Sequence, residues 1–256
     1  MYIIKKLYQT IVPEKIRMSL WKKYYKYTSF LFGPGDKYHC NICNKSFRRF
    51  RSHGIIKRNN AKCPYCLSLE RTRLLWFYLD KEVNITDKSW KILHVAPEEG
   101  LKNRLKKINS SHYFDIDINP TCAYIKMDLT DLRFQKNFFN LIICSHVLGH
   151  ITNEGKALSE IFRVLDKSGI ALIMTVLSER ESTFENINII SRKERIQNFG
   201  EPDLVRLHGK DFPERLKLAG FKVEEIDYRI NLGRDNCEIF SLGDGKRERI
   251  FKCSKR

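Results

Sequence analysis

Apolar residues recur along this chain in two rhythms. From Lys91 onward, short continuous apolar runs alternate with stretches whose apolar positions return every three or four residues, the pattern of βαβ units wound around a parallel sheet. Strands are predicted at 91–95, 112–116, 123–127, 140–145, 169–176, 221–226 and 249–253, and helices at 99–107, 155–165 and 211–219. Leu158, Ile161, Phe162 and Leu165 fall on one face of the second helix and are core positions. The predicted fold class is α/β: a Rossmann-like seven-stranded sheet over residues 81–256, preceded by a small module.

Before Lys91 the rhythm changes. Residues 1–35 form a basic amphipathic segment in which Ile4, Leu7, Tyr8 and Ile11 alternate with Lys5, Lys6 and Lys15. Pro13 divides this segment into two short helices. Trp21, Tyr24, Tyr25 and Tyr27 stand among Lys22, Lys23 and Lys26, a mixture suited to a membrane interface or a nucleic-acid surface. The plainer expectation is that this stripe packs on its own protein. Gly33-Pro34-Gly35-Asp36 makes a turn that closes the segment.

Composition sharpens the division. Up to Asp80 there are 17 Lys or Arg against four acids, while the remainder has 30 against 26, so most of the net charge of +17 belongs to the N-terminal part. Such a field attracts RNA or another anionic surface. The longest aliphatic run, 170–177, suits a buried strand and is too short to span a bilayer. The first residues lack the apolar region of a secretory signal, so a soluble, cytoplasmic protein with reduced thiols is expected.

Four of those thiols carry a pattern. Cys40-Asn-Ile-Cys43 and Cys63-Pro-Tyr-Cys66 are separated by 19 residues, the two-knuckle spacing of a zinc ribbon, here assigned to residues 36–80. Four thiolates complete a tetrahedron and leave no position for water, so the Zn²⁺ is expected to be structural. His39 and His53 are read as surface or packing residues. The intervening FRRFRSHGIIKRNNAK is either a phosphate-backbone reader or a solvated tip. Cys122, Cys144, Cys237 and Cys253 show no ligand spacing.

The segments KILHVAPEEGL, HYFDIDINP, IKMDLTDLRF, FNLIICSHVLGHI and RVLDKSGIALI follow one another in order. Together they resemble the class I S-adenosylmethionine-dependent methyltransferases of type 11, and in particular a bacterial group in which a zinc ribbon precedes the catalytic domain. The resemblance implies S-adenosylmethionine as cofactor. It places His94, Val95, Ala96, Glu98 and Gly100 in the loop facing the methionine part and Asp117-Ile118 at the ribose. Asp128-Leu129 fall at the adenine and Ser145 beside the sulfonium, with His146 and His150 as candidate bases. Asp115 is one alternation away on the opposite face from Asp117.

Two departures stand out against the family pattern. The first loop holds a single glycine, Gly100, together with Pro97, and Gly149 stands where relatives often carry Glu. Residues 178–210 form a long insertion after the fifth strand, suited to a substrate cap with Glu185, Asp203, Arg206 and His208 as acceptor contacts. The acceptor is open among three readings: a small molecule or glycan precursor, an RNA held by the basic ribbon, or none, if the fold is a degenerate binding module.

Overall fold

The computed structural model describes residues 11–86 and 89–255. Ile4, Lys5, Lys6, Leu7 and Tyr8 lie outside them. Pro13 is the N-cap of helix α1 (Glu14–Thr28), a place where its missing N–H costs nothing, and α1 tightens into a 3₁₀ turn at Ser29–Phe32. The aromatic stripe of α1 does not pack inward as expected: Trp21, Tyr24 and Tyr27 are 53%, 55% and 75% exposed, and no residue of the helix is fully buried. The helix touches the protein along its other face, through Glu14, Met18, Lys22, Tyr25, Lys26 and Thr28.

Two hairpins follow, β1 (Tyr38–Cys40) with β2 (Lys45–Phe47) and β3 (Arg51–His53) with β4 (Arg58–Lys62). Helix α2 (Glu70–Lys81) comes next and buries Leu74, Leu75, Trp76, Tyr78 and Leu79. Its segment gave no separate helical signal beside the cysteines, because both of its faces are covered and the apolar pattern loses its stripe. Cys40, Ile42, Phe47 and Phe50 of the ribbon lie in one apolar cluster with α2 and with Leu141, Leu172 and Met174 of the large sheet. Module and sheet therefore share a core.

That sheet contains β5 (Ile92–Val95), β6 (Tyr113–Asp117), β7 (Ile125–Lys126), β8 (Phe139–Ser145) and β9 (Leu165–Met174). After the cap strands β10 (Phe184–Glu185) and β11 (Arg206–Leu207), it is completed by β12 (Phe221–Ile226) and β13 (Ile250–Lys255). The strand order is β12-β13-β9-β8-β5-β6-β7, parallel except for the antiparallel β13 and its partners. All seven predicted strands form, in the expected class of sheet. β7 shrinks to two residues because it is an edge whose Tyr124 neighbour is 87% exposed. Lys167, Ser168 and Gly169 lie within β9 beside a register shift, where a Cβ on Gly169 would stand 2.9 Å from the Phe139 carbonyl.

The helices are α3 (Glu99–Ile108), α4 (Glu154–Val164), α5 (Arg192–Phe199), α6 (Phe212–Leu218) and α7 (Tyr228–Ile239), the last kinked at Gly233. Chain order reverses between β5 and β8, so the sheet has its topological switch point at their C-terminal ends. Open α/β sheets hold ligands there.

Candidate functional site

The cysteine cluster is the most closely determined part. In each knuckle the residue after the second cysteine, Asn44 or Leu67, takes a left-handed backbone, with φ of 54° and 64°. Its N–H donates to the carbonyl of the first cysteine, at 2.8 Å in one knuckle and 3.2 Å in the other. Two copies of the same turn thus aim four sulfurs at one point. Cys40 and Cys66 approach to 3.5 Å and Cys43 and Cys63 to 3.8 Å, and all four ligand atoms lie within 4.8 Å of one another. Thiolates at 2.3 Å from a tetrahedral zinc sit about 3.8 Å apart.

The surroundings also fit a tetrathiolate centre. Arg73 of α2 is fully buried, yet its guanidinium donates only to carbonyl oxygens, those of Ser68, Ala61, Phe240 and Ser241, at 2.7–3.0 Å, and lies 4.9 Å over the Phe50 ring, with no carboxylate paired to it among the described residues. Zn²⁺ with four thiolates would carry a net charge of about −2, half of which that buried cation offsets. Hydrogen bonds from Cys43, Cys63 and Cys66 pull the Cys40 thiol down, and Arg73 adds to this.

At the switch point two non-glycine residues adopt strained left-handed conformations, Ala96 directly after β5 (φ 47°) and His146 directly after β8 (φ 57°). Ala96 supplies the sharp turn that a glycine-rich loop would otherwise make. Such strain persists only where surrounding structure imposes it, and it clusters at functional sites. Pro97 and Glu98 follow, and Glu98 is held by Arg71 at 2.7 Å and by the hydroxyl of Thr72, both from α2.

The residues singled out in the sequence fall into three groups. Asp117 ends β6 half-buried at the crevice, where one carboxylate oxygen accepts from the Asn119 N–H at 2.7 Å, while Ile118 is 70% exposed. Asp128 is exposed and accepts from Thr130 N–H and hydroxyl, capping a turn in which Leu129 is buried. Ser145 is buried at the end of β8. These, with Val95, Ala96 and Glu98, surround the strand ends of β5 to β8.

A second group turns away. His94 is buried in β5, bonded to the Tyr113 hydroxyl at 2.8 Å, and burial lowers its pKa to about 3, so it is a neutral packing residue with only its backbone near the loop. Gly100 faces the ribbon: a Cβ there would stand 3.0 Å from Ile42 and 3.5 Å from the Cys66 carbonyl. Asp115, buried, is paired with Lys102 at 2.7 Å.

The third group belongs to the cap. Glu185 is paired with Arg206 and Arg215, and His208 bridges Glu154 at 2.6 Å and Thr175 at 2.8 Å. Arg206 also donates to the carbonyls of Leu148, Ile151 and Thr152. Burial opposes the charge on Glu154, but His208, Arg215 and Arg206 outweigh it and hold its pKa down. Glu185, Arg206 and His208 therefore tie the cap to the sheet, whereas Asp203 is exposed beside His150 at 3.6 Å. Leu204 fills the space over Gly149, where a Cβ would meet it at 2.7 Å.

Between cap, ribbon tip and sheet lies a cavity of about 120 Å³, lined by His53, Arg58, Arg71, His146, His150 and Arg247 among others. Burial, with Arg71 close by, pushes the pKa of His146 well down. Its Nε2 lies 2.8 Å from the Arg247 carbonyl, which can only accept, so the proton is on Nε2 and Nδ1 is left as the basic atom. Glu248 sits buried behind this contact, its carboxyl raised to about 7 by burial.

A neighbouring cavity of about 360 Å³ opens beside Pro97, Glu98, Glu99 and Cys122 under the inner flank of α1. Arg71 lines both cavities, and its buried Nε–H has no partner among the described residues. Sequence reasoning missed Arg71, Arg58 and Arg247, whose local surroundings contain nothing that sets them apart from other basic residues. Larger depressions of about 560 and 950 Å³ lie at the β12 edge and between ribbon and α3, away from the strand ends.

Comparison with known proteins bears on the fold that carries these residues. Residues 83–173 match the family model described as a methyltransferase domain. A ubiquinone/menaquinone biosynthesis C-methyltransferase from Psychromonas ingrahamii is 26% identical over 159 residues, covering 57% of this chain and 58% of that relative's length. In structure, the [4+2]-cyclase SpnF is similar over 91% of this chain and 94% of its own, with a TM-score of 0.50 and 14% identity. An S-adenosylmethionine-dependent methyltransferase from Archaeoglobus fulgidus covers 71% of this chain and 93% of its own, at a TM-score of 0.48 and 15% identity. The likeness to the cyclase is one of fold, and a shared fold does not fix the reaction.

Proposed function

We propose that this chain, whose central domain is of the class I S-adenosylmethionine-dependent methyltransferase type, transfers a methyl group to a small molecule or glycan precursor. The observation that carries the reading is Arg71: a buried, unpartnered Nε–H at the junction of the two cavities that meet beside the switch point. An orphaned buried donor is costly unless a ligand accepts from it. Asp117, Asp128-Leu129 and the turn at Ala96–Glu98 would hold the cofactor, whose sulfonium supplies the methyl group.

The chain's own residues would then position the acceptor and keep water out. Glu98 and Glu201 already face the charges of Arg71 and Arg247, so it is the free Nε–H of Arg71 that favours an acceptor bearing a hydrogen-bond-accepting oxygen, and neutral His146 can take a proton at Nδ1 from an acceptor that must lose one. That step would also serve a carbon acid, the kind of acceptor implied by the C-methyltransferase relative's name. The small volume of the cavity, about 120 Å³, supports a small acceptor group over a nucleobase.

An RNA acceptor is favoured by one feature, the groove between ribbon and α3 that gathers Lys22, Lys26, Lys45, Arg104, Lys106 and Lys107 around Tyr65. Calorimetry tests the main reading. Binding of S-adenosylmethionine and S-adenosylhomocysteine is expected, weakened about ten- to hundredfold by Asp117→Ala. Absence of heat with both ligands overturns the enzyme readings and leaves the binding module. An RNA affinity that falls steeply with salt in the cofactor-loaded protein would move the acceptor to RNA.

A further inference from the structure

We infer that α1 and its 3₁₀ turn form an interfacial helix that docks this protein on an anionic lipid surface. Ile16, Leu20, Tyr24 and Tyr27 fall within about 80° of one another on a helical projection and point away from the protein. They are 52%, 48%, 55% and 75% exposed, and the turn adds Phe30 and Leu31 at 71% and 62%. This row of large apolar side chains runs the length of the element with nothing packed on it among the described residues. A water-facing helix of a soluble protein does not usually concentrate them so.

Charge names the occupant. Lys23 stands about 20° outside the row at one edge, and Lys26 and Lys15 follow about 80–100° round the helix on the same side, so cations flank the apolar face in the direction of the groove. On the far side of Lys26 the same helix walls the groove of Lys22, Lys45, Arg104, Lys106 and Lys107, opposed by the single acid Glu99. An apolar row beside a dense basic flank is the arrangement that seats a helix at the boundary between acyl chains and anionic headgroups. Aliphatic Ile16, Leu20 and Leu31 count against a nucleic-acid partner, since bases gain their affinity by stacking on aromatic faces.

The inner flank gives this surface a bearing on the site. Trp21 and Tyr25 line the cavity beside Pro97 and Glu98, Met18 meets the Thr121 hydroxyl, and Lys22 pairs with Glu99 at 2.9 Å. A helix lying on lipid would hold that cavity close to the membrane plane. The docking claim rests on the outer face alone and stands whatever the acceptor is.

Flotation of the full-length protein with phosphatidylcholine vesicles, with and without phosphatidylglycerol, tests it. Binding is expected to the anionic vesicles, decreasing with salt, together with a blue shift of tryptophan fluorescence that Trp21→Phe removes. The charge-conserving double variant Leu20→Ser/Tyr27→Ser is expected to lower the partition about tenfold or more, while S-adenosylhomocysteine binding is retained. Because these side chains are exposed, the variant should fold. Vesicle binding unchanged in that variant would mean that general basicity suffices, and would overturn the inference. So would RNA binding that the variant abolishes in a protein that ignores both vesicle types.

Discussion

The cysteine module and the loop after β5 touch each other through Gly100, yet they are specified in opposite ways. The module is closed by two short local turns, each finished by one left-handed residue, and its ligands are 20 and 26 residues apart in the paired sulfurs. The loop is a strained turn at Ala96 whose acid, Glu98, is held by α2 from outside the sheet. A local device can be read from spacing. A loop held by distant partners cannot.

Removing metal should break the comparison most severely, because the ribbon shares its apolar cluster with the sheet. Chelation, or Cys63→Ser, is expected to lower the unfolding temperature of the whole chain by about 10 °C or more, with zinc content and calorimetric scans as the measurement. A scan in which the sheet melts at an unchanged temperature would show the module to be energetically separate.

Next comes Arg73. If the thiolates are its counter-charge, Arg73→Met takes the guanidinium donors from the carbonyls of Ala61, Phe240 and Ser241, leaves that of Ser68 with the Cys63 N–H, and leaves a buried centre uncompensated, a loss of about 3–5 kcal/mol by urea titration. A loss below about 1 kcal/mol would exclude that electrostatic partnership.

On the loop side, His94 has a folded-state pKa of about 3 against 6.5 for a free imidazole. The unfolded chain therefore binds this proton first, and stability is lost as pH falls from 6.5 toward 3. The difference accumulates to on the order of 5 kcal/mol. His94→Gln, which can still meet the Tyr113 hydroxyl, should flatten that slope relative to the parent. Equal slopes would show that the imidazole protonates freely in the fold.

The smallest effect is at Ala96. Replacing it by glycine relieves the φ of 47° and is expected to stabilise the chain by about 1 kcal/mol, with little change in cofactor affinity. A large loss of affinity would show that the strain itself shapes the site.

The legible parts of this protein were those with short-range causes. Strand runs such as NLIICS and GIALIMTV are buried on both faces and read as continuous apolar stretches, and the C-x₂-C spacing read as a ligand set. α2 was illegible because it is covered on both sides, and Arg71 with it. The cap residues Glu185 and His208 have the residue types of a binding site, but their partners Arg215 and Glu154 are 30 and 54 residues away in chain order, and spacing cannot reveal such pairing. The exposed face of α1 has the composition of a packed face, and composition alone does not tell which surface it packs on.

Arg73 also has a place in time. A chain made from its N-terminus can gather the four cysteines and fold α2 while most of the sheet has yet to be synthesised. Two of the carbonyls that receive the guanidinium, those of Phe240 and Ser241, arrive some 167 residues later. The module that looks finished first is thus sealed among the last, and its buried cation registers whether the far end of the chain has come home.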